Sequence, residues 1–296
     1  MPYHSIVLMK QVPDTAAITD KALNPDGTLN RAALQAICNP ECLHALEMAL
    51  QVKDRYGGLV TVLTMGPPRA ADILRDALYR GADRAILLTD RLFAGSDTLA
   101  TSYVLALALV KVGAYDLIFC GRQAIDGDTG QVGPELAQRL DLQQITYAEE
   151  ILSIPEGHIT AQRELPLGRE TVACPLPCLL TVVGGANRPR PPSVRRVMTL
   201  KLAATPLEYP DLLRRWPEFG TTDALDAYLG EHGLRITQWS AADIGAEAAR
   251  LGLAGSPTKV LQVGYVGPGA RVGKAVSAND EGLTGLIYEL VADYIL

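Results

Sequence analysis

Tyr115-Asp-Leu-Ile-Phe-Cys-Gly-Arg-Gln-Ala-Ile-Asp-Gly-Asp-Thr-Gly-Gln-Val-Gly-Pro-Glu-Leu-Ala-Gln-Arg-Leu140 is the stretch on which the fold turns. Tyr115 to Cys120 reads as a strand whose apolar character suits a sheet covered on both faces. A glycine-rich loop follows, and then a helix begins. Gly127 and Gly130 let backbone N–H groups approach a ligand closely. Thr129 is placed to cap the helix, whose unpaired first-turn amides and positive dipole end favour a phosphate. Arg122 adds a charge with its donors in a planar fork. Asp126 and Asp128 would repel a bare pyrophosphate, so they suit hydroxyls, ring donors or the loop's own amides. The segment reads as a nucleotide site, although a well-capped surface turn would use the same residue types.

Upstream, the same alternation of strand and helix recurs. Ser5 to Lys10 is a first strand, stopped by Pro13 and Asp14 and followed by a polar, hairpin-like segment at Asn24 to Gly27. Asn39 and Pro40 supply an N-cap and first-turn proline for a helix carrying Leu43, Leu46 and Leu50 on one face, ending at Gly57-Gly58. Leu59 to Thr64 is a second strand, and Gly66-Pro67-Pro68 turns the chain. Ile73, Leu74, Ala77 and Leu78 repeat at helical spacing before Gly81. Arg84 to Leu88 is a third strand, and Asp97 to Val110 a helix. This order predicts an α/β fold with a doubly wound, mostly parallel sheet. Ligands in such folds collect beyond the carboxyl ends of the strands, here Lys10 to Thr15, Thr64 to Pro67 and Gly121 to Gly130.

Downstream of about Ile151 the pieces become shorter, with a further strand at Leu179 to Val183 and a proline- and arginine-rich run from Asn187 to Arg196. Residues past Thr199 contain prolines at 206, 210 and 217 and read as an extended C-terminal arm. The apolar close, Leu283 to Leu296, needs a surface to cover it, either a partner's or the core's own. The expected division is an α/β domain at 1–198 and an arm at 199–296.

Of all residues 48% are hydrophobic and only 5% aromatic, enough for a large aliphatic core. A formal charge of −6 argues against nucleic-acid binding. The longest apolar runs, such as Leu59 to Met65, fall far short of the roughly 20 residues that cross a bilayer, so no membrane insertion is expected. Met1 to Lys10 has no basic leader or cleavage site, which suits a cytoplasmic chain. Cys38, Cys42, Cys120, Cys174 and Cys178 lack CxxC spacing and read as buried free thiols, with Pro175 and Pro177 expected to hold the last two sulfurs apart. No Walker lysine motif, GxGxxG, GxSxG or HExxH occurs, and His4, His44, His158 and His232 are scattered. No catalytic side chain and no metal ligand is assigned.

Several motifs together carry a resemblance. They are Val7-Leu-Met-Lys-Gln-Val-Pro-Asp-Thr15, Asn39-Pro with Ala45-Leu-Glu47, Thr64-Met-Gly-Pro67, Gly81-Ala-Asp83, Gly121 to Gln131, Pro189 to Ser193 and Gly255-Ser-Pro-Thr-Lys-Val260. In this order, across most of the chain, they resemble the beta (small) subunit of electron-transfer flavoproteins. The resemblance implies a Rossmann-like adenine-nucleotide-binding domain that pairs with an alpha subunit holding the principal FAD. One branch of that family keeps a structural AMP in the beta subunit. Another binds a second FAD there and includes members that oxidise NADH and split its electron pair between the alpha-subunit FAD and a low-potential ferredoxin or flavodoxin.

Asp126-Gly-Asp-Thr-Gly130 looks like the second branch, because the AMP branch has further acidic residues followed by Asn-Gln-Thr-Gly. The Ser96 to Ser102 helix start and the Gly255 to Lys259 segment point the same way. FAD is therefore the expected cofactor, AMP the alternative, and NADH or a dehydrogenase the expected donor. Carried over by motif, Met9, Lys10, Gln11, Val12, Asn39, Thr64, Met65 and Gly66 line the adenosine and phosphate pocket. Cys120, Gly121, Arg122, Gln123, Asp126, Gly127, Asp128, Thr129, Gly130, Gln131 and Val132 join them, and Thr98 and Thr101 reach toward the flavin. His44, Arg196 and the apolar final helix depart from the family pattern. Outside the resemblance stand two rivals: a non-redox adenine-nucleotide sensor like the universal stress proteins, and a scaffold subunit with an empty pocket.

Overall fold

Alternate residues of the inner strands feed two separate cores, which is the signature of a sheet buried on both faces. The computed structural model describes residues 2–14, 35–258 and 274–292. It begins with β1 (Tyr3–Leu8), a small antiparallel ribbon of β2 (Gln11–Pro13) and β3 (Ala36–Cys38), and α1 (Pro40–Tyr56). Then come β4 (Gly58–Met65), α2 (Ala71–Arg80), β5 (Arg84–Leu88), α3 (Thr98–Val112), β6 (Leu117–Gly121) and α4 (Val132–Arg139). The strands β7 (Gln143–Ser153), β8 (His158–Leu165), β9 (Gly168–Pro175) and β10 (Cys178–Val182) follow without an intervening helix. The remaining elements are α5 (Val194–Leu200), α6 (Tyr209–Arg215), α7 (Thr222–Glu231), β11 (Thr237–Trp239), α8 (Gly252–Gly255) and α9 (Asp280–Ala292).

Nine strands form one sheet in the order β11-β5-β4-β1-β6-β10-β7-β8-β9. Only the β7–β8 and β8–β9 pairs are antiparallel, so the mostly parallel α/β architecture is as expected. Val7, Leu117 and Phe119 point toward α1 and α2, whereas Ile6, Leu8, Ile118 and Cys120 meet α3 and α4. Phe119 is fully buried, and its truncation to alanine would cost about 3–5 kcal/mol. The chain runs outward from β1 through β4 and β5, then returns to β6 on the other side of β1. That reversal opens a crevice beyond the carboxyl ends of β1 and β6.

Three local expectations change. The side chain of Asn39 does not cap α1, although Pro40 does occupy its first turn. Thr129 does not cap α4, which begins at Val132 after Gln131 and has no side-chain cap. The thiols of Cys174 and Cys178 converge within hydrogen-bonding reach instead of diverging. The two cysteines stand where β9 ends and β10 begins; separately, β7 bulges at Tyr147 (φ +58°), and past its end the Ile154 carbonyl accepts from the Tyr3 hydroxyl at the opening end of β1. All five cysteines are nevertheless free, and burial pushes each thiol above its ordinary range.

Residues 199–258, the first part of the expected arm, contribute β11 to the sheet edge and place Leu225, Leu229 and Ile236 in the same core cluster as α1 and α2. They fall in one compact unit with the sheet, while residues 274–292 belong to a second unit, whose described helix is α9. The expected hairpin at Asn24 to Gly27 and residues 293–296 of the apolar close lie outside the described residues. The two departures at His44 and Arg196 have structural roles. The His44 ring meets the Asn187 side chain at 3.2 Å, and Arg196 donates to the Leu78 and Ala82 carbonyls at the end of α2. No described helix is long and apolar enough to cross a membrane.

Candidate functional site

Past β6 the chain must leave the sheet and enter α4 within ten residues, and it does so in two halves of different character. Residues 122–128 are tied down. The Arg122 N–H donates to the Val182 carbonyl at 2.8 Å, and the Ala124 carbonyl accepts from Gly127 and Asp128 at 3.2 and 2.8 Å. Asn39, wholly buried, donates to the Gln123 carbonyl at 2.8 Å and accepts from the Ile125 N–H at 3.0 Å. Glu41 accepts the Gln123 N–H at 2.8 Å and pairs with Arg122 at 2.9 Å. Lys10 closes on Asp126 at 2.7 Å, and Gln123 donates to Asp128 at 3.2 Å.

The second half presents bare donors. None of the N–H groups of Thr129, Gly130, Gln131, Val132 and Gly133 donates to a protein acceptor among the described residues. Asp128 and Gly130 adopt left-handed backbone angles (φ +51° and +63°), a bend that glycine enters without strain and aspartate tolerates. A run of such amides at a helix start forms an anion-binding nest, strengthened by the positive end of the α4 dipole. Gly133 lets that helix sit against the sheet, since a Cβ there would lie 2.8 Å from Thr181 Cγ2 and 2.9 Å from Cys120 Sγ.

Opposite stands the amino terminus of α3. Asp97 caps it, accepting from the Ala100 N–H at 3.0 Å, and also accepts from the Thr258 N–H at 3.0 Å, while Ser256 receives the Asp97 N–H at 2.8 Å. Burial acts to raise the Asp97 carboxyl. The Ala100 and Thr258 amides, helped by the Ser256 hydroxyl and the Leu99 amide, outweigh it and hold the group below its usual range. The Thr98 hydroxyl lies 3.0 Å from Gln131 Oε1 and 3.1 Å from Glu135 Oε1, joining the starts of α3 and α4. Lys259 and Val260 of the 255–260 motif lie outside the described residues.

Between these elements is a cavity of about 360 Å³. Met9, Lys10, Asn39, Met65, Thr98, Thr101, Cys120, Gly121, Arg122, Gln123, Asp126, Gly127, Asp128, Thr129, Gly130, Gln131 and Val132 all line it. Four residues expected there do not. Gln11 donates instead to the Arg69 carbonyl at 3.1 Å, Val12 is buried in β2, and the Gly66 N–H bonds Leu88 at 3.0 Å. Thr64 is buried behind the lining, its hydroxyl without a partner. Sequence reasoning missed Leu8, Leu63, Phe93 and Leu105, apolar residues legible only as core, and Cys42, Gly95 and Gly133. Glu41, whose partners lie some eighty residues away, left no local signal. Among the described residues no cluster of His, Cys, Asp and Glu could hold a metal ion.

Bare amides, a close-packed glycine and a cavity at the switch point make this end of the α/β sheet its candidate ligand site. The electron transfer flavoprotein domain matches residues 26–206. The protein FixA of Rhizobium meliloti (strain 1021) is 45% identical over 267 residues, covering 88% of this chain and 80% of that protein. FixA of Sinorhizobium fredii is 44% identical, over 92% of this chain and 86% of its own length. The electron transfer flavoprotein subunit beta of Clostridium acetobutylicum is 42% identical, over 86% and 85%. The chain belongs to the electron transfer flavoprotein family.

Proposed function

We propose that this chain is the beta subunit of a cytoplasmic electron transfer flavoprotein, holding FAD in the cavity at the carboxyl edge of the sheet. The observation that carries the reading is the run of unbonded amides from Thr129 to Gly133, which matches the oxygens of a diphosphate. Met9, Lys10 and Met65 would flank the adenosine, and Thr98 and Thr101 the flavin side. FAD would supply the one- and two-electron redox chemistry there. The chain's own work is to bind, orient and shield, and so none of its side chains is needed as a general acid or base.

A partner is part of the proposal. Leu283, Leu286, Ile287, Leu290 and Val291 recur at helical spacing on α9 and none is buried, which suits docking on an alpha subunit. Electrons would pass between NADH or a dehydrogenase and the alpha-subunit FAD. The Asp126-Gly-Asp-Thr-Gly130 sequence favours the electron-splitting branch, with ferredoxin or flavodoxin as second acceptor. A second reading, with AMP in the pocket, is favoured by size, since the cavity stands near the lower end of the roughly 300–1,000 Å³ typical of ligand sites.

Co-expression with the larger subunit, then denaturation and chromatography of the released cofactors, tests the proposal. Two FAD per heterodimer is the expected count. One FAD and one AMP would establish the second reading, and a colourless heterodimer would overturn both.

A further inference from the structure

We propose that Glu41 is a positioning residue for the nucleotide loop, acting through the Gln123 amide and the Arg122 guanidinium. The proposal rests on the nucleotide reading of the cavity and goes beyond it, because Glu41 lies behind the lining.

Each carboxylate oxygen has its own task. Oε2 accepts the Gln123 N–H at 2.8 Å, and Oε1 pairs with Arg122 Nη2 at 2.9 Å. The side chain is nearly buried, in the first turn of the 17-residue α1, where the helix dipole favours a negative charge. The surroundings are shaped for it. A Cβ on Gly121 would come within 2.9 Å of the Glu41 backbone, and one on Gly184 within 3.6 Å of Oε1. Arg122 is steered as a result. Its guanidinium lies 5.7 Å from the Tyr147 ring centroid and its Nε is buried without a partner, so Glu41 is its only charged contact among the described residues. The carboxylate thus neutralises the guanidinium beside the phosphate loop and leaves the grip to the amides of residues 129–133.

Removing only the charge, by Glu41→Gln, keeps an acceptor for Gln123 but frees Arg122. The full-length heterodimer, stripped of cofactor, is titrated with FAD and separately with AMP, and the visible circular dichroism of bound flavin is recorded. Affinity for the nucleotide that the wild type binds should fall at least tenfold, and the flavin signal should change shape. Glu41→Asp keeps the carboxylate facing Gln123 and Arg122 and should retain affinity to within about threefold of wild type. Unchanged affinity in Glu41→Gln would overturn the proposal, as would an equal loss in Glu41→Asp and Glu41→Gln while both proteins melt like wild type. A wild type that takes up neither nucleotide would instead sink the nucleotide reading itself.

Discussion

At the amino ends of β1, β4, β5 and β11 the sheet carries a cavity of about 480 Å³, larger than the one of about 360 Å³ at the carboxyl ends of β1 and β6. Most polar side chains of the larger hollow are committed, the exposed Arg84 excepted. His4 sits between the Ala114 carbonyl at 2.7 Å and the Thr61 hydroxyl at 2.9 Å, and Asp83 pairs with Lys53 at 2.6 Å. Lys111 donates to the Asp243 carbonyl beside the Trp239 ring, and Arg235 pairs with Asp226. Basic residues near the carboxyl ends of α3 and α7 are accounted for by the negative ends of those helix dipoles. The smaller hollow faces two helix amino termini and five unspent amides. Unsatisfied donors, more than volume, distinguish the end of the sheet at which we propose a ligand binds.

The strongest attack on that contrast is Gly133→Val, which forces side-chain atoms into spaces of 2.8 and 2.9 Å between α4, Thr181 and Cys120. We expect a loss of about 1–3 kcal/mol in urea unfolding together with loss of the copurifying cofactor. Full cofactor retention would show that the amide run is dispensable. Asp97→Asn should be milder, about 0.3–1 kcal/mol, because asparagine still caps the helix and only the negative charge at its positive end is lost. Its sign with pH is fixed. The folded carboxyl is held below its ordinary value, so its contribution is complete above the unfolded pKa of about 3.9 and disappears as pH falls through the folded one. Stability curves of wild type and variant should therefore converge in acid; a constant gap would contradict the capping geometry. Smallest of all, Arg84→Ala at the amino-end cavity should change stability by no more than about 0.5 kcal/mol and leave FAD titration untouched. A tenfold effect on FAD affinity there would reverse the ranking of the two ends.

The sequence disclosed whatever is local. Ile73, Leu74, Ala77 and Leu78 announced α2 by spacing, Arg84 to Leu88 matched β5 at both ends, and the glycines after Cys120 marked a loop that lines the cavity. Misreadings arose where a local signal had a distant owner. Asn39 before Pro40 is indistinguishable in sequence from a helix cap, yet its amide serves a loop more than eighty residues later. The prolines between Cys174 and Cys178 suggested divergence, yet where β9 ends and β10 begins the two thiols come within hydrogen-bonding reach. Residues past 199 read as an arm, and within them Thr237 to Trp239 form β11 and pair with β5.

The five free donors of residues 129–133 belong to the main chain, and a peptide N–H has no proton to lose at any pH the cell meets. A pocket gripped by histidine would tighten and slacken with acidity. Under the proposed diphosphate reading the hold should stay level wherever the phosphates remain ionised, and at those positions the backbone demands a particular residue only at Gly130, for its bend, and Gly133, for its packing.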